Sequence, residues 1–178
     1  MIFNSSFLLD VVALGGTDGN NHFDSCDLFD AETGLWTKLP NMTTKRSYPG
    51  TVAIQQGASH RIYVFGGDDG MKILDTCEFL DVGEDQSQWT LLEAKMASFR
   101  RSTCAVLLDH NTAVICGGSD GIKTLASCES LDLTTHTFSP FPDTIEPRKS
   151  HAGVHYNGTI VVLGGYFGLL DEKKTCEQ

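Results

Sequence analysis

Three basic segments recur along the chain, at Arg46, at Arg100-Arg101 and at Arg148-Lys149. A guanidinium group offers planar, paired donors, so arginines at regular intervals suit bidentate contacts to carboxylates. One arginine returns in every unit, and in two of them it closes a Met-x-x-x-Arg pattern, Met42 to Arg46 and Met96 to Arg100. An arginine repeated this way is read first as structural, pairing with backbone or a carboxylate inside the fold. Arg46, Arg100 and Arg148 are thus weaker binding candidates than Arg101 and Lys149, which are additions to the repeat. Tyr166-Phe167, in a segment unusually apolar for a turn, completes the candidate contact residues.

The other residue types able to do chemistry read as structural. Asp18, Asp69 and Asp120, with Asp68 beside them, lack the alternating acidic ligands and closing glutamate of a calcium loop, and are read as turn formers. The glycine pairs are followed by no Gly-Lys-Ser/Thr and no helix, which excludes a phosphate loop. His151 and His155 lie four apart on one expected strand, hence on one face, but no third ligand accompanies them, so packing or solvent roles are expected. No Gly-x-Ser-x-Gly or partnered nucleophile is present. No catalytic, cofactor-binding or metal-binding residue is assigned, and the chain is expected not to be an enzyme.

The elements that carry these residues follow from a fourfold statement of one stretch. Val11-Val12-Ala13-Leu14-Gly15-Gly16 returns as Ile62-Tyr63-Val64-Phe65-Gly66-Gly67, as Ala113-Val114-Ile115-Cys116-Gly117-Gly118 and as Ile160-Val161-Val162-Leu163-Gly164-Gly165. The pairs are spaced 51, 51 and 47 residues apart, a period that marks an array of supersecondary units. Each apolar run is a strand, b, apolar at consecutive positions and therefore covered on both faces. A turn leads to strand c at Cys26, Cys77 and Cys128, and strand d carries Trp36, Trp89 and Phe138, expected as wedges between sheets. Strand a holds Val52, Val106 and Val154, each six residues past the repeated arginine. Strands a and b are joined tightly, most clearly at Asn157-Gly158. Nothing shows a helical period, so the fold class is all-β. Antiparallel alternation puts the b–c and d–a connections on one face, and the a–b and c–d connections on the other.

Composition narrows the partners. The 178 residues carry 13 basic and 23 acidic side chains, a formal net charge of -10. That balance argues against nucleic acid or an anionic membrane as partner. No run approaches the length of a membrane span. The first fourteen residues, interrupted by Asp10, read as domain rather than leader. Cys26, Cys77, Cys128 and Cys176 hold one position repeated, too far apart between units to bridge, so reduced buried thiols in a reducing, cytoplasmic setting are expected. The sequons at Asn4, Asn41 and Asn157 carry little weight there.

Short antiparallel strands in a repeated set of four describe the blades of a β-propeller. The glycine pair, the acid opening strand c (Asp27, Glu78, Glu129), the tryptophan some twenty residues on and the Met-x-x-x-Arg resemble kelch repeats. Phe138, Leu80, Leu131 and Phe167 depart from the pattern. The resemblance implies a kelch-type propeller, incomplete, with about three and a half four-stranded antiparallel blades. The expected units are 1–47 with strands b-c-d, full blades at 48–98 and 99–147, and 148–178 with a-b-c. It implies a protein-interaction module, with an acidic or phosphorylated peptide of a partner on the b–c/d–a face. It also implies the substrate-receptor class that recruits targets to a cullin-RING ubiquitin ligase through a BTB domain. Kelch-fold enzymes, such as a copper oxidase and a sialic acid epimerase, and actin-binding proteins are the alternatives. Remaining blades or a second copy are expected to cover two apolar flanks, one bearing Val11, Val12, Leu28 and Phe29 and the other Ile160, Val161 and Val162. Finally, the Asp109-His110-Asn111 loop sets Cys104 opposite Cys116 as a close, reduced pair.

Overall fold

Four apolar residues in succession, Ile62-Tyr63-Val64-Phe65, need a covering layer on each side, and the structure supplies one. All four are wholly buried, with Ile62 and Val64 packed toward the preceding sheet and Tyr63 and Phe65 toward the following one. The computed structural model describes residues 2–5, 8–56, 59–83, 86–167 and 176–177, and side chains within 10–56, 59–83 and 86–167. Among the described residues there is no helix.

The strands form four antiparallel sheets. The first contains β1 (Ile2–Ser5), β2 (Leu8–Leu14), β3 (Cys26–Asp30) and β4 (Leu35–Leu39). The second contains β5 (Gly50–Gln56), β6 (Ser59–Phe65), β7 (Cys77–Val82) and β8 (Thr90–Leu91). The third contains β9 (Cys104–Leu107), β10 (Thr112–Cys116), β11 (Cys128–Asp132) and β12 (Thr137–Phe141). In the fourth, β13 (Ala152–Tyr156), β14 (Thr159–Leu163) and β15 (Cys176–Glu177) lie in that order. Each sheet is a meander of neighbouring strands, the form of a propeller blade, and the sheets do not close on one another.

The first blade departs from its expected b-c-d form. β1 pairs with β2, Ile2 opposite Val11 and Ser5 opposite Leu8, so an a-type strand is present. The apolar segment before Gly15 is long enough to hold two strands, which pair up to Ser5 opposite Leu8. The fourth blade has the expected a-b-c order. Its hairpin turns at Asn157 and Gly158, both at positive φ (48° and 80°), the type I′ signature that this pair favours.

Three apolar clusters fill the seams between blades. Val12, Cys26, Met42, Ile62, Val64, Leu80 and Trp89 pack between the first and second. Tyr63, Phe65, Met96, Ile115 and Leu131, with Phe138 beside them, pack between the second and third. Val106, Val114, Cys116, Cys128 and Val162 lie between the third and fourth. Trp89 and Phe138 are thus wedges as expected. Trp36 is not: it is 56% exposed and rests against Phe29 on the open side of the first blade. The reason is positional, since a strand-d aromatic reaches toward the preceding blade and Trp36 has none among the described residues.

Candidate functional site

The repeated arginines lie inside the seams. Arg46 and Arg100 are 0% exposed and Arg148 is 1% exposed, which takes all three off the contact surface and corrects their candidacy for partner binding. Arg46 leaves β4's loop beside the first blade, yet its side chain is spent on the second. Its Nε donates to Glu78 Oε1 at 2.7 Å, its Nη1 to the carbonyls of Gly66 (2.7 Å) and Thr76 (2.9 Å), and its Nη2 to Thr76 Oγ1 at 3.1 Å. The other oxygen of Glu78 accepts from Thr43 N at 2.7 Å and Thr43 Oγ1 at 2.8 Å. Arg100 repeats the arrangement one blade on, with Glu129, Gly117 O and Ser127. Arg148 Nη1 donates to Gly164 O at 2.9 Å. Burying the Arg46 and Arg100 charges is tolerable because each is paired with a buried carboxylate and donates to backbone carbonyls as well, while Arg148 Nη2 stands 3.7 Å from Glu146 Oε2.

The glycine pairs accept the backbone of the same arginines. Gly67 N donates to Arg100 O at 2.7 Å, and Gly16 and Gly118 do the same to Arg46 and Arg148. A Cβ on Gly66, whose φ is +61°, would lie 2.2 Å from Arg100 O. Only glycine permits both that φ and that approach. Two residues past each arginine, Tyr48, Ser102 and Ser150 all sit at positive φ (57°, 54° and 54°). Ser102 N donates to Tyr48 O and Ser150 N to Ser102 O, each at 2.8 Å. This bonded arc runs from blade to blade and fixes the d–a loops relative to one another.

On that frame the b–c turns project outward. Asp69 Oδ1 accepts from the backbone N–H groups of Met71 and Lys72 at 2.8 Å, and Asp18 and Asp120 do the same in their turns. Such bonds stabilise the ionised carboxyl: backbone donation from Asn21 leads the effects holding Asp18 down to about 2, and donation from Lys123 leads those lowering Asp120. Since the amide oxygen of asparagine accepts the same bonds, Asp69→Asn is expected to cost well under about 1 kcal/mol in a denaturation curve. A larger loss, or loss of a bound metal, would show that Asp69 is more than a turn residue.

Beyond each turn aspartate the tip is apolar and open: Met71 is 95% exposed and Ile122 is 96% exposed, at equivalent positions of adjacent blades. Tyr48, Phe99, Tyr166 and Phe167 are exposed in the same set of b–c and d–a connections. Sequence reading missed Met71, Ile122, Tyr48 and Phe99. The repeat alignment held the signal for the tips, an apolar residue after two of the three Asp-Gly turns, Asn20 standing at that place in the first. Arg101 is partly exposed and salt-bridged through Nη1 to Asp68 Oδ2, so it also ties its loop to the second blade's turn. Lys149 and Tyr166 exchange backbone hydrogen bonds at 3.0 and 2.9 Å, which places these two candidates side by side. Leu169 and Leu170, in the fourth b–c segment, lie outside the described residues.

The histidines do not form the pair their spacing suggested. β13 begins at Ala152, so His151 precedes the strand and is buried, whereas His155 lies on it and is exposed. Among the described residues no group of three His, Cys, Asp or Glu is placed to hold a metal ion. Cys26, Cys77, Cys104, Cys116 and Cys128 are free and buried, with Cys104 opposite Cys116 as the loop length required.

Comparison with known proteins agrees with this geometry. The family model described as the KLHDC2/KLHL20/DRC7 Kelch-repeats domain matches residues 8–176. Kelch repeat-containing protein kel-10 of Caenorhabditis elegans is 30% identical over 141 residues, which cover 79% of this chain and 24% of that protein. A Kelch repeat and BTB domain-containing protein of the same species is 29% identical over 141 residues, with the same 79% and 24% coverage. Kelch domain-containing protein 8B of Rattus norvegicus is 25% identical over 151 residues, covering 78% of this chain and 41% of that one. The chain thus spans about a quarter of the length of the two nematode relatives.

Proposed function

The chain belongs to the kelch-repeat family, and on that premise we propose that it is a protein-interaction module whose b–c/d–a face takes a protein or peptide partner. The observation that carries the reading is the pair of apolar tips, Met71 and Ile122, held almost fully in solvent by turns that are otherwise rigidly bonded. Exposed apolar groups recurring on one face, with aromatics and cations between them, are the composition of an interface centre. Arg101, Lys149, Tyr166 and Phe167 belong to this surface.

The finer reading is a substrate receptor of a cullin-RING ubiquitin ligase, acting in the cytoplasm. It is supported by the relative whose name carries a BTB domain. It requires a cullin among the proteins that co-purify with the full-length form.

The face itself is tested by the double variant Met71→Ser/Ile122→Ser, set against Leu35→Ser, an exposed apolar residue on the first blade away from the tips. All should melt like the parent, since surface changes usually fall within about 0.5 kcal/mol. Affinity purification should recover specific proteins with the parent and Leu35→Ser, and lose them with the double variant. Identical recovery by the double variant would refute the proposed face.

A further inference from the structure

The seam between the third and fourth blades holds a thiol and an imidazole in contact. Cys104 Sγ lies 3.1 Å from His151 Nε2, and both side chains are buried. His151 reaches this place because two glycines leave room for it. A Cβ on Gly117 would stand 2.9 Å from its Cε1, and one on Gly165 would stand 2.8 Å from its own Cβ. Gly153 clears the other side, where a Cβ would fall 2.8 Å from Cys104 Sγ.

The repeat supplies its own control. Three residues past the arginines stand Pro49, Thr103 and His151; four past stand Gly50, Cys104 and Ala152. The seam between the second and third blades therefore joins Gly50 to Thr103, in contact at the same place. The partner of Cys104 across the ladder is also peculiar to this blade. Gly50 faces Phe65 and Ala152 faces Leu163, a small residue against a large one, whereas Cys104 faces Cys116. Packing is thus met at the second blade without thiol or imidazole, and among the described residues one seam brings two thiols and a base together.

The rung continues to Cys128, which is opposite Cys116 on β11. Cys104 and Cys116 are direct partners across the ladder, and the hydrogen bond between their thiols is the chief cause that pushes the Cys116 thiol up to about 12. A cavity of about 260 Å³ between the blades, with Leu108, Phe141, Ile160 and Val162 in its wall, opens onto Cys116 and Cys128. Cys104 is not in its wall but lies directly across the ladder from Cys116, which is.

We propose that Cys104 is a peroxide-oxidisable thiol activated by His151 and resolved by Cys116. The imidazole Nε2 takes the Cys104 proton, as a base does for a nucleophilic thiol within hydrogen-bond reach. The thiolate attacks one oxygen of hydrogen peroxide; the O–O bond breaks, and the leaving hydroxide takes a proton to give water and Cys104 sulfenic acid. Cys116 then attacks that sulfur and displaces its hydroxyl, which leaves as a second water with the Cys116 proton. The sum is two thiols and one peroxide to one disulfide and two waters. Directly opposed strand residues have Cα atoms about 4.5–5.5 Å apart, inside the range of about 4.4–6.8 Å that a disulfide spans.

The test treats the folded chain with hydrogen peroxide under a chelator, with dimedone as sulfenic acid trap, and maps each cysteine by mass spectrometry against time. Cys104 is expected to react first, giving the Cys104–Cys116 disulfide, while Cys77, buried without an imidazole, stays reduced. In Cys116→Ser the reaction should stall at trapped Cys104 sulfenic acid. His151→Gln should slow Cys104 by on the order of 100-fold, the low end of general-base contributions. A melting curve of each variant separates lost chemistry from lost fold, and the parent alone decides the matter if a variant unfolds. Cys104 reacting no faster than Cys77 in the parent, or at an unchanged rate in a folded His151→Gln, would overturn the proposal.

Discussion

Glu78→Ala is expected to destabilise the chain by roughly 3–5 kcal/mol, the range for removing one partner of a buried ion pair. Both partners are wholly buried, so the Arg46 guanidinium would keep its charge with its Nε left unmet. Thr43 N and Oγ1 would lose their acceptor at the same stroke. Arg46→Met should do no better, because it removes the donors that Gly66 O and Thr76 O now use and strands the carboxylate. The loss is a large fraction of the roughly 5–15 kcal/mol by which folded domains exceed their unfolded chains. Denaturant midpoints, with circular dichroism to gauge the folded fraction, read this directly. A Glu78→Ala protein melting within about 0.5 kcal/mol of the parent, as ordinary surface variants do, would mean the pair is not a seam staple.

Trp89→Ala should cost a similar roughly 3–5 kcal/mol, the usual price of deleting a large aromatic from a core. The indole fills the seam between the first two blades against Val12, Met42, Ile62 and Leu80, and its Nε1 donates to Pro40 O at 2.9 Å. Alanine would leave both a cavity and an unmet carbonyl. Trp36→Ala is the matched control: it holds the same position in the repeat but is more than half exposed. It should cost under about 1 kcal/mol. Equal losses for the two would contradict the wedge assignment of Trp89.

What the sequence made legible was whatever the repeat states more than once. Consecutive apolar residues at Ile62 to Phe65 announce a strand covered on both faces, and the loop lengths around Asp109 to Asn111 and Asn157-Gly158 set strand registers. The structural bias of the repeated arginines was also readable, since one residue type at one offset in every unit points to a shared architectural need. Their partners were not, because Glu78 lies 32 residues from Arg46 and Glu129 lies 29 from Arg100, across a seam that local pattern does not encode. β1 was missed for want of a repeat marker: no glycine pair or arginine precedes it to fix its alignment. Cys104 and His151, 47 residues apart, meet only because neighbouring blades stack in register. Exposure of Met71 and Ile122 depends on how far a turn projects, which residue type alone does not show.

That tightly packed blades present apolar turn tips to a partner is put to the test by methionine footprinting of the chain with and without its captured protein. Met71 is nearly fully exposed, while Met42 and Met96 are buried in successive seams. A brief pulse of hydroxyl radicals should convert Met71 to its sulfoxide in the free chain and leave Met42 and Met96 intact. Bound partner should then suppress oxidation at Met71. Oxidation of Met42 and Met96 as fast as Met71, or a Met71 that stays equally reactive in the complex, would contradict it.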